Sequence, residues 1–143
     1  TFDLSIECSR KKVDGKRIEA WYFTTPLPRP LTCKIFIQGE SNEGRLRKVI
    51  GLDVTSTGDD LFDNQVLVFS SCKDTALKFF GPYMRQRFLW AGLKDFSMEI
   101  SGEETALSLN LEPLTNVRYI RHALEVWTEF LNVIMTSRNL ESV

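Results

Sequence analysis

From Asn116 to Met135 the apolar residues come in adjacent pairs: Tyr119/Ile120, Ala123/Leu124, Val126/Trp127, Phe130/Leu131 and Val133/Ile134. The steps between pairs alternate between four and three, which is helical spacing with an unusually wide apolar stripe. Arg118, Arg121, His122, Glu125, Thr128, Glu129 and Asn132 fill the other side of the wheel. This spacing predicts a long helix over about 116–136. A stripe that wide is stable only on a broad apolar surface, so the rest of the chain must provide one.

Upstream, the periodicity is that of strands. Phe2, Leu4, Ile6 and Cys8 alternate with Asp3, Ser5, Glu7 and Ser9, and Asp14-Gly15 follows as a type I′ hairpin signal. With that turn, paired residues sum to 29 in number, setting Cys8 opposite Trp21 and Ile6 opposite Phe23 on the side expected to face the core. Pro26, Pro28 and Pro30 interrupt the next stretch. We expect a stiff crossover between strands there, since proline cannot donate to a ladder; a proline-rich ligand segment is the competing reading. Leu31–Gln38 reads as a third strand. Asn42 could cap a short helix over 43–50, and residues 55–60 carry loop chemistry. Residues 64–70 read as a strand covered on both faces.

Asp74 and Thr75 stand at a helix start, Gly81-Pro82 bends the pattern, and Gly92 stops it, giving a bent helix over about 74–91. Phe96, Met98 and Ile100, then Leu107, Leu109 and Leu111, predict a second hairpin turning at Ser101–Glu104. Thr115 or Asn116 caps the last helix. Hairpins dominate and no βαβ alternation occurs. The expected class is therefore α+β: a mostly antiparallel sheet of about six strands, helices on one face, and the other face polar.

The length of 143 residues suits a single α+β domain over 1–143. The chain opens on Thr1 inside a strand pattern, so we expect a fragment or the mature part of a longer chain. A net charge of −1 gives no strong nucleic-acid signal. No run of about 18 apolar residues predicts a membrane span, and no signal-peptide pattern is present. Cys8, Cys33 and Cys72 lack metal-ligand spacing; we expect reduced, largely buried thiols, with one disulfide plus a free thiol as the alternative. No metal and no cofactor is expected.

Few groups suggest chemistry. Asp59, Asp60 and Asp63, with Asp53 nearby, are the main acidic cluster. They lack calcium-loop spacing and read first as turn and cap residues, with acid–base catalysis as the sharper alternative. His122 falls on the wet face of the last helix. Arg10, Lys11, Lys12, Lys16 and Arg17 crowd the tip of the first hairpin, where they either solvate a strand end or touch an anionic surface. Arg45, Arg47 and Lys48 could extend that patch. No nucleophile motif or phosphate loop appears.

The run Gly58-Asp59-Asp60-Leu61-Phe62-Asp63, then Val66–Phe69, then Asp74, Ala76, Leu77 and Phe80-Gly81-Pro82, followed by helix, two strands and helix, carries a resemblance. Over residues 31–135 the chain resembles the soluble α+β domain of bacterial membrane-associated proteins of unknown function. That resemblance implies a compact domain tethered near a membrane, and it brings no catalytic residues. The expected location is cytoplasmic, with any tether in a segment absent from this chain. Cys72 and the Asp59-Asp60 doublet fall outside its pattern.

Three readings follow. The first is a non-catalytic domain that meets another protein or an anionic membrane surface, its oligomeric state open. The second is a small-ligand module with a pocket lined by Trp21, Phe23, Phe88 and Trp127. The third is an enzyme using the Asp59–Asp63 loop.

Overall fold

A computed structural model describes residues 4–39, 52–92, 96–111 and 117–141. In chain order the elements are β1 (Ser5–Val13), β2 (Lys16–Gly39), β3 (Asp53–Val54), α1 (Asp60–Gln65), β4 (Val66–Ser70), α2 (Lys73–Phe79), α3 (Pro82–Ala91), β5 (Phe96–Leu111) and α4 (Val117–Glu141). The class is α+β, and among the described residues the sheet has five antiparallel strands.

β2 is the axis of the sheet. Its first half lies between β1 and β5, its second half between β4 and β5, and β3 adds a short strip outside β4. The first hairpin has the register expected of it, with Cys8 opposite Trp21, Ile6 opposite Phe23 and Glu7 opposite Tyr22. Asp14 and Gly15 both take positive φ, 53° and 78°, as a type I′ turn requires.

Two expected breaks are absent. The triple-proline stretch is no crossover: β2 runs through it as one strand, and the register against β5 slips between Pro26 and Leu31 and again between Leu31 and Ile35. A bulge is where a strand tolerates residues without a ladder donor. Leu27 and Leu31 are buried while Pro26, Pro28 and Pro30 are exposed, so the bulged segment keeps its apolar side chains inward. Likewise Ser101–Glu104 does not turn the chain back. β5 continues through Gly102, which sits at φ 61° opposite Leu31. The bulge shifts the inward positions from even numbers (Phe96, Met98, Ile100) to odd ones (Leu107, Leu109), so two expected strands merge into one. The expected helix over 43–50 and the caps at Thr115 and Asn116 lie outside the described residues.

α1 was not anticipated. Asp59 caps it, accepting from the Phe62 N–H, and it turns the chain so that Phe62 is buried just before β4 begins. α2 and α3 are the two pieces of the expected bent helix, with Pro82 opening the second and Gly92 closing it in left-handed conformation. β4 is buried on both faces along most of its length, as expected.

The helices supply Phe62, Phe79, Phe88 and Phe130 and the α2–α3 bend supplies Phe80, and these join Phe96 from β5 in an aromatic cluster. Phe88 has Phe62, Phe80, Phe96 and Phe130 around it at centroid separations of 6.1, 6.0, 6.2 and 5.8 Å. Phe80 and Phe130 are closer still, at 5.0 Å. α4 lays Ala123, Val126, Trp127, Phe130, Leu131 and Ile134 on this core and leaves His122 exposed. The opposite sheet face is less polar than expected, because Phe36 and Phe69 pack there with centroids 6.3 Å apart and Phe69 is buried.

Trp127 does two jobs. Its ring belongs to the core, and its Nε1–H donates at 3.1 Å to Thr105 Oγ1, which donates at 3.0 Å to the Glu99 carbonyl. That chain spans the β5 bulge. Trp127→Ala should therefore cost about 3–5 kcal/mol in urea unfolding, while Trp127→Phe, which loses only the donor and part of the ring, should cost about 1–2 kcal/mol.

Candidate functional site

The helical layer stops short of β1. Leu4, Ile6 and Cys8 occupy the sheet face that carries the helices, yet all are exposed, Leu4 at 43 % and Ile6 at 53 %. The face was expected correctly and its cover was not. β1 is an edge strand beyond the reach of α4, whose Trp127 lies over Thr105 of β5 on the far side of β2. Cys8 is accordingly an exposed thiol, contrary to the expectation of burial, whereas Cys33 is buried and Cys72 half-buried.

The hairpin tip brings the basic residues together on two faces. Lys12 stands directly opposite Arg17, and Arg10 opposite Glu19, on the same face as Leu4 and Ile6. Lys16 belongs to the other face, and Lys11 is paired with Ile18 by backbone register. Arg10 is 3.8 Å from Glu19 with its side chain 85 % exposed, a weak surface pair. Glu19 also accepts from Trp21 Nε1 at 3.3 Å. Arg45, Arg47 and Lys48 lie outside the described residues.

The acidic loop is a bonding network. Asp63 accepts from the Thr57 hydroxyl at 2.7 Å, the Ser56 hydroxyl at 3.0 Å, the Thr57 N–H at 3.1 Å and the Gly58 N–H at 3.2 Å. Burial alone would raise the Asp63 carboxyl, but these donors outweigh it and hold it below the ordinary carboxylate range. Asp59 turns elsewhere: besides capping α1 it accepts from Arg85 Nε at 3.1 Å, and Arg85 Nη1 donates at 2.8 Å to the Phe80 carbonyl at the end of α2. Arg85 thus ties the start of α1 to the bend between α2 and α3. Asp60 is exposed. A carboxylate stabilised in this way is a weaker base than a free one, the opposite of what acid–base catalysis near neutral pH needs. Among the described residues no group of His, Cys, Asp and Glu could hold a metal ion.

The aromatics expected to line a ligand pocket are packed on protein. Phe23, Phe88 and Trp127 are buried in the common core, and Trp21 stacks on Phe23 with centroids 6.2 Å apart. One exposed feature escaped the sequence reading. On α3, Tyr83 and Trp90 are 60 % and 69 % exposed, and between them Arg87 donates from Nε to Glu129 of α4 at 2.9 Å. The Tyr83 hydroxyl donates to the same carboxylate at 3.1 Å. The hydrogen bond from Arg87, set against burial and helped by Tyr83, lowers the Glu129 carboxyl. The helical spacing of Tyr83, Arg87 and Trp90, turned away from the buried Met84 and Phe88, is the signal that could have found this face.

These elements define an open α+β sheet with a one-sided helical layer and a projecting hairpin, whose longest helix packs across the sheet. The same fold occurs in the crystal structure of the mycobacterial trehalose monomycolate transport factor A, TtfA, with a TM-score of 0.61 and 11% sequence identity over 92% of this chain and 74% of that one. At that identity the likeness shows the fold alone. No protein-family model matches the chain, and no curated protein sequence is similar to it. Among the described residues no helix is long and apolar enough to cross a membrane.

The Asp63 network yields a test. Asp63→Asn removes the charge and turns one acceptor into a donor facing donors, so it should cost about 2 kcal/mol at neutral pH. The folded carboxyl titrates below its unfolded value. Its contribution is therefore present above that unfolded value, about 3.9, and lost as pH falls through the folded one. Urea unfolding of both proteins should show the gap between them closing below about pH 4.

Proposed function

We propose that this chain is a non-catalytic docking domain that works beside a membrane, and that the β1–β2 hairpin is the part that meets the anionic surface. The observation that carries the reading is the hairpin's composition by face. Arg10, Lys12 and Arg17 share one face with the exposed Leu4 and Ile6, so cations and uncovered apolar side chains point the same way. Basic side chains near an anionic lipid surface contribute about 1 kcal/mol each, and apolar side chains that enter the headgroup layer add to that. The occurrence of the fold in a trehalose monomycolate transport factor supports a setting in transport. The acidic loop, whose bonded carboxylates serve a turn and a cap, gives the enzyme reading no support.

A second reading rests on a different feature of the same element. β1 has β2 as its one strand neighbour among the described residues, so its outer backbone edge is open to an added strand from another protein.

Co-sedimentation with vesicles of mixed phosphatidylserine and phosphatidylcholine tests the first reading. Binding should appear at low salt, fade as salt rises and be absent with phosphatidylcholine alone. Lys12→Glu and Arg17→Glu should each weaken it about fivefold or more, and Ile6→Ser should weaken it with less change in salt dependence. Absence of binding to anionic vesicles at low salt overturns the membrane reading and leaves strand addition at β1.

A further inference from the structure

The odd cysteine count resolves in the fold into a pair and a single thiol. Beyond the Ile35–Ser70 pair the β2–β4 ladder runs on by one step: the Ser71 N–H donates to the Lys34 carbonyl at 3.0 Å, and the Lys34 N–H donates to Ser71 Oγ at 2.9 Å. The next two residues along are Cys33 and Cys72. Positions flanking a hydrogen-bonded antiparallel pair face each other at the short Cα spacing, about 4.5 Å, which falls inside the range of about 4.4–6.8 Å that a disulfide spans. The side chains agree with the backbone. Cys33 Sγ donates to the Cys72 carbonyl at 3.6 Å, and Ser71 Oγ lies 4.0 Å from the Cys33 sulfur and 3.6 Å from the Cys72 sulfur.

We propose that Cys33 and Cys72 are a redox pair that closes to an intramolecular disulfide, stapling the middle of β2 to the start of α2. The oxidant is a hydroperoxide. The Cys72 thiolate, on the half-exposed side, attacks the terminal peroxide oxygen; the O–O bond breaks, and Cys72 becomes a sulfenic acid while the peroxide leaves as an alcohol or water. Cys33 sulfur then attacks the Cys72 sulfur, the S–O bond breaks, and hydroxide departs as water with the Cys33 proton. The two thiols lose two electrons in all and the peroxide gains them. The order follows from burial: Cys33 is 2% exposed, and desolvation, together with the neighbouring Cys72, pushes its thiol up to about 11, so it stays protonated while the accessible sulfur reacts. Cys8 takes no part. It stands opposite Trp21, twelve residues of β2 from Cys33, which at strand rise is roughly 30–40 Å away.

The test uses the full chain carrying Cys8→Ser, a change at an exposed position that removes links between molecules. After hydrogen peroxide treatment, alkylation in denaturant and digestion without reductant, mass spectrometry should find the Cys33 and Cys72 peptides joined. Both thiols should disappear together and return with dithiothreitol. The oxidised protein should melt roughly 5–10 °C higher, because the bond closes a long loop. In Cys72→Ser, Cys33 should stay fully alkylatable after the same treatment. Recovery of Cys72 as a sulfinic acid, or joined between molecules, with Cys33 still free in the Cys8→Ser protein, would overturn the proposal, and that reading does not depend on whether either single-cysteine variant folds.

Discussion

The ring packing around Phe88 holds the molecule together. There α1, the α2–α3 bend, α4 and β5 all meet, through Phe62, Phe80, Phe130 and Phe96. Aromatic pairs at these separations add about 0.5–1.5 kcal/mol each beyond the area they bury, and the contributions are concentrated on one side chain. The rest of the architecture follows. α1 exists to deliver Phe62, and Asp59 serves that delivery twice, by capping the helix and by anchoring Arg85 to the Phe80 carbonyl. The wide stripe of α4 is wide because it must touch both this cluster and the β5 surface near Thr105.

Much of this was legible from periodicity. The α4 stripe, the register about Asp14-Gly15, the bend at Gly81-Pro82 and the stop at Gly92 all depend on local chemistry: backbone φ, a missing N–H, apolar spacing. What local chemistry could not supply was continuity. Three prolines resemble a crossover and a Ser-Gly-Glu-Glu segment resembles a chain reversal, yet each is a bulge inside a long strand. The clue was numerical parity. From Ile100 to Leu107 is an odd step, which a hairpin permits but which also marks one strand displaced by a bulge, and only the pairing partner decides between them. Leu27 and Leu31, odd like Phe23 and Cys33, already argued that β2 keeps one inward face through the prolines.

Candidate sites were legible by residue type and not by partner. The Asp59–Asp63 segment was recognisable as an acidic loop, but which donors surround Asp63 and which cation Asp59 holds depends on Arg85, a residue on a separate helix. Arg85 and Arg87 look like solvated positions on the α3 wheel, yet each is spent on a carboxylate of another element. The basic tip was readable because all its members lie within one hairpin. The pairing of Cys33 with Cys72 was not readable, since it depends on the β2–β4 register.

The uneven helical cover has a dynamic consequence. Where helices lie over the sheet, opening a strand means exposing Phe88 and its neighbours, so amides of β4 and of the second half of β2 can exchange with solvent only through near-global unfolding. β1 has no such roof, and its detachment from β2 exposes little that water does not already reach. The protein is therefore built as two cooperative units of unequal strength, a rigid body and a hairpin arm whose outer strand can fray and re-form while the body stays folded.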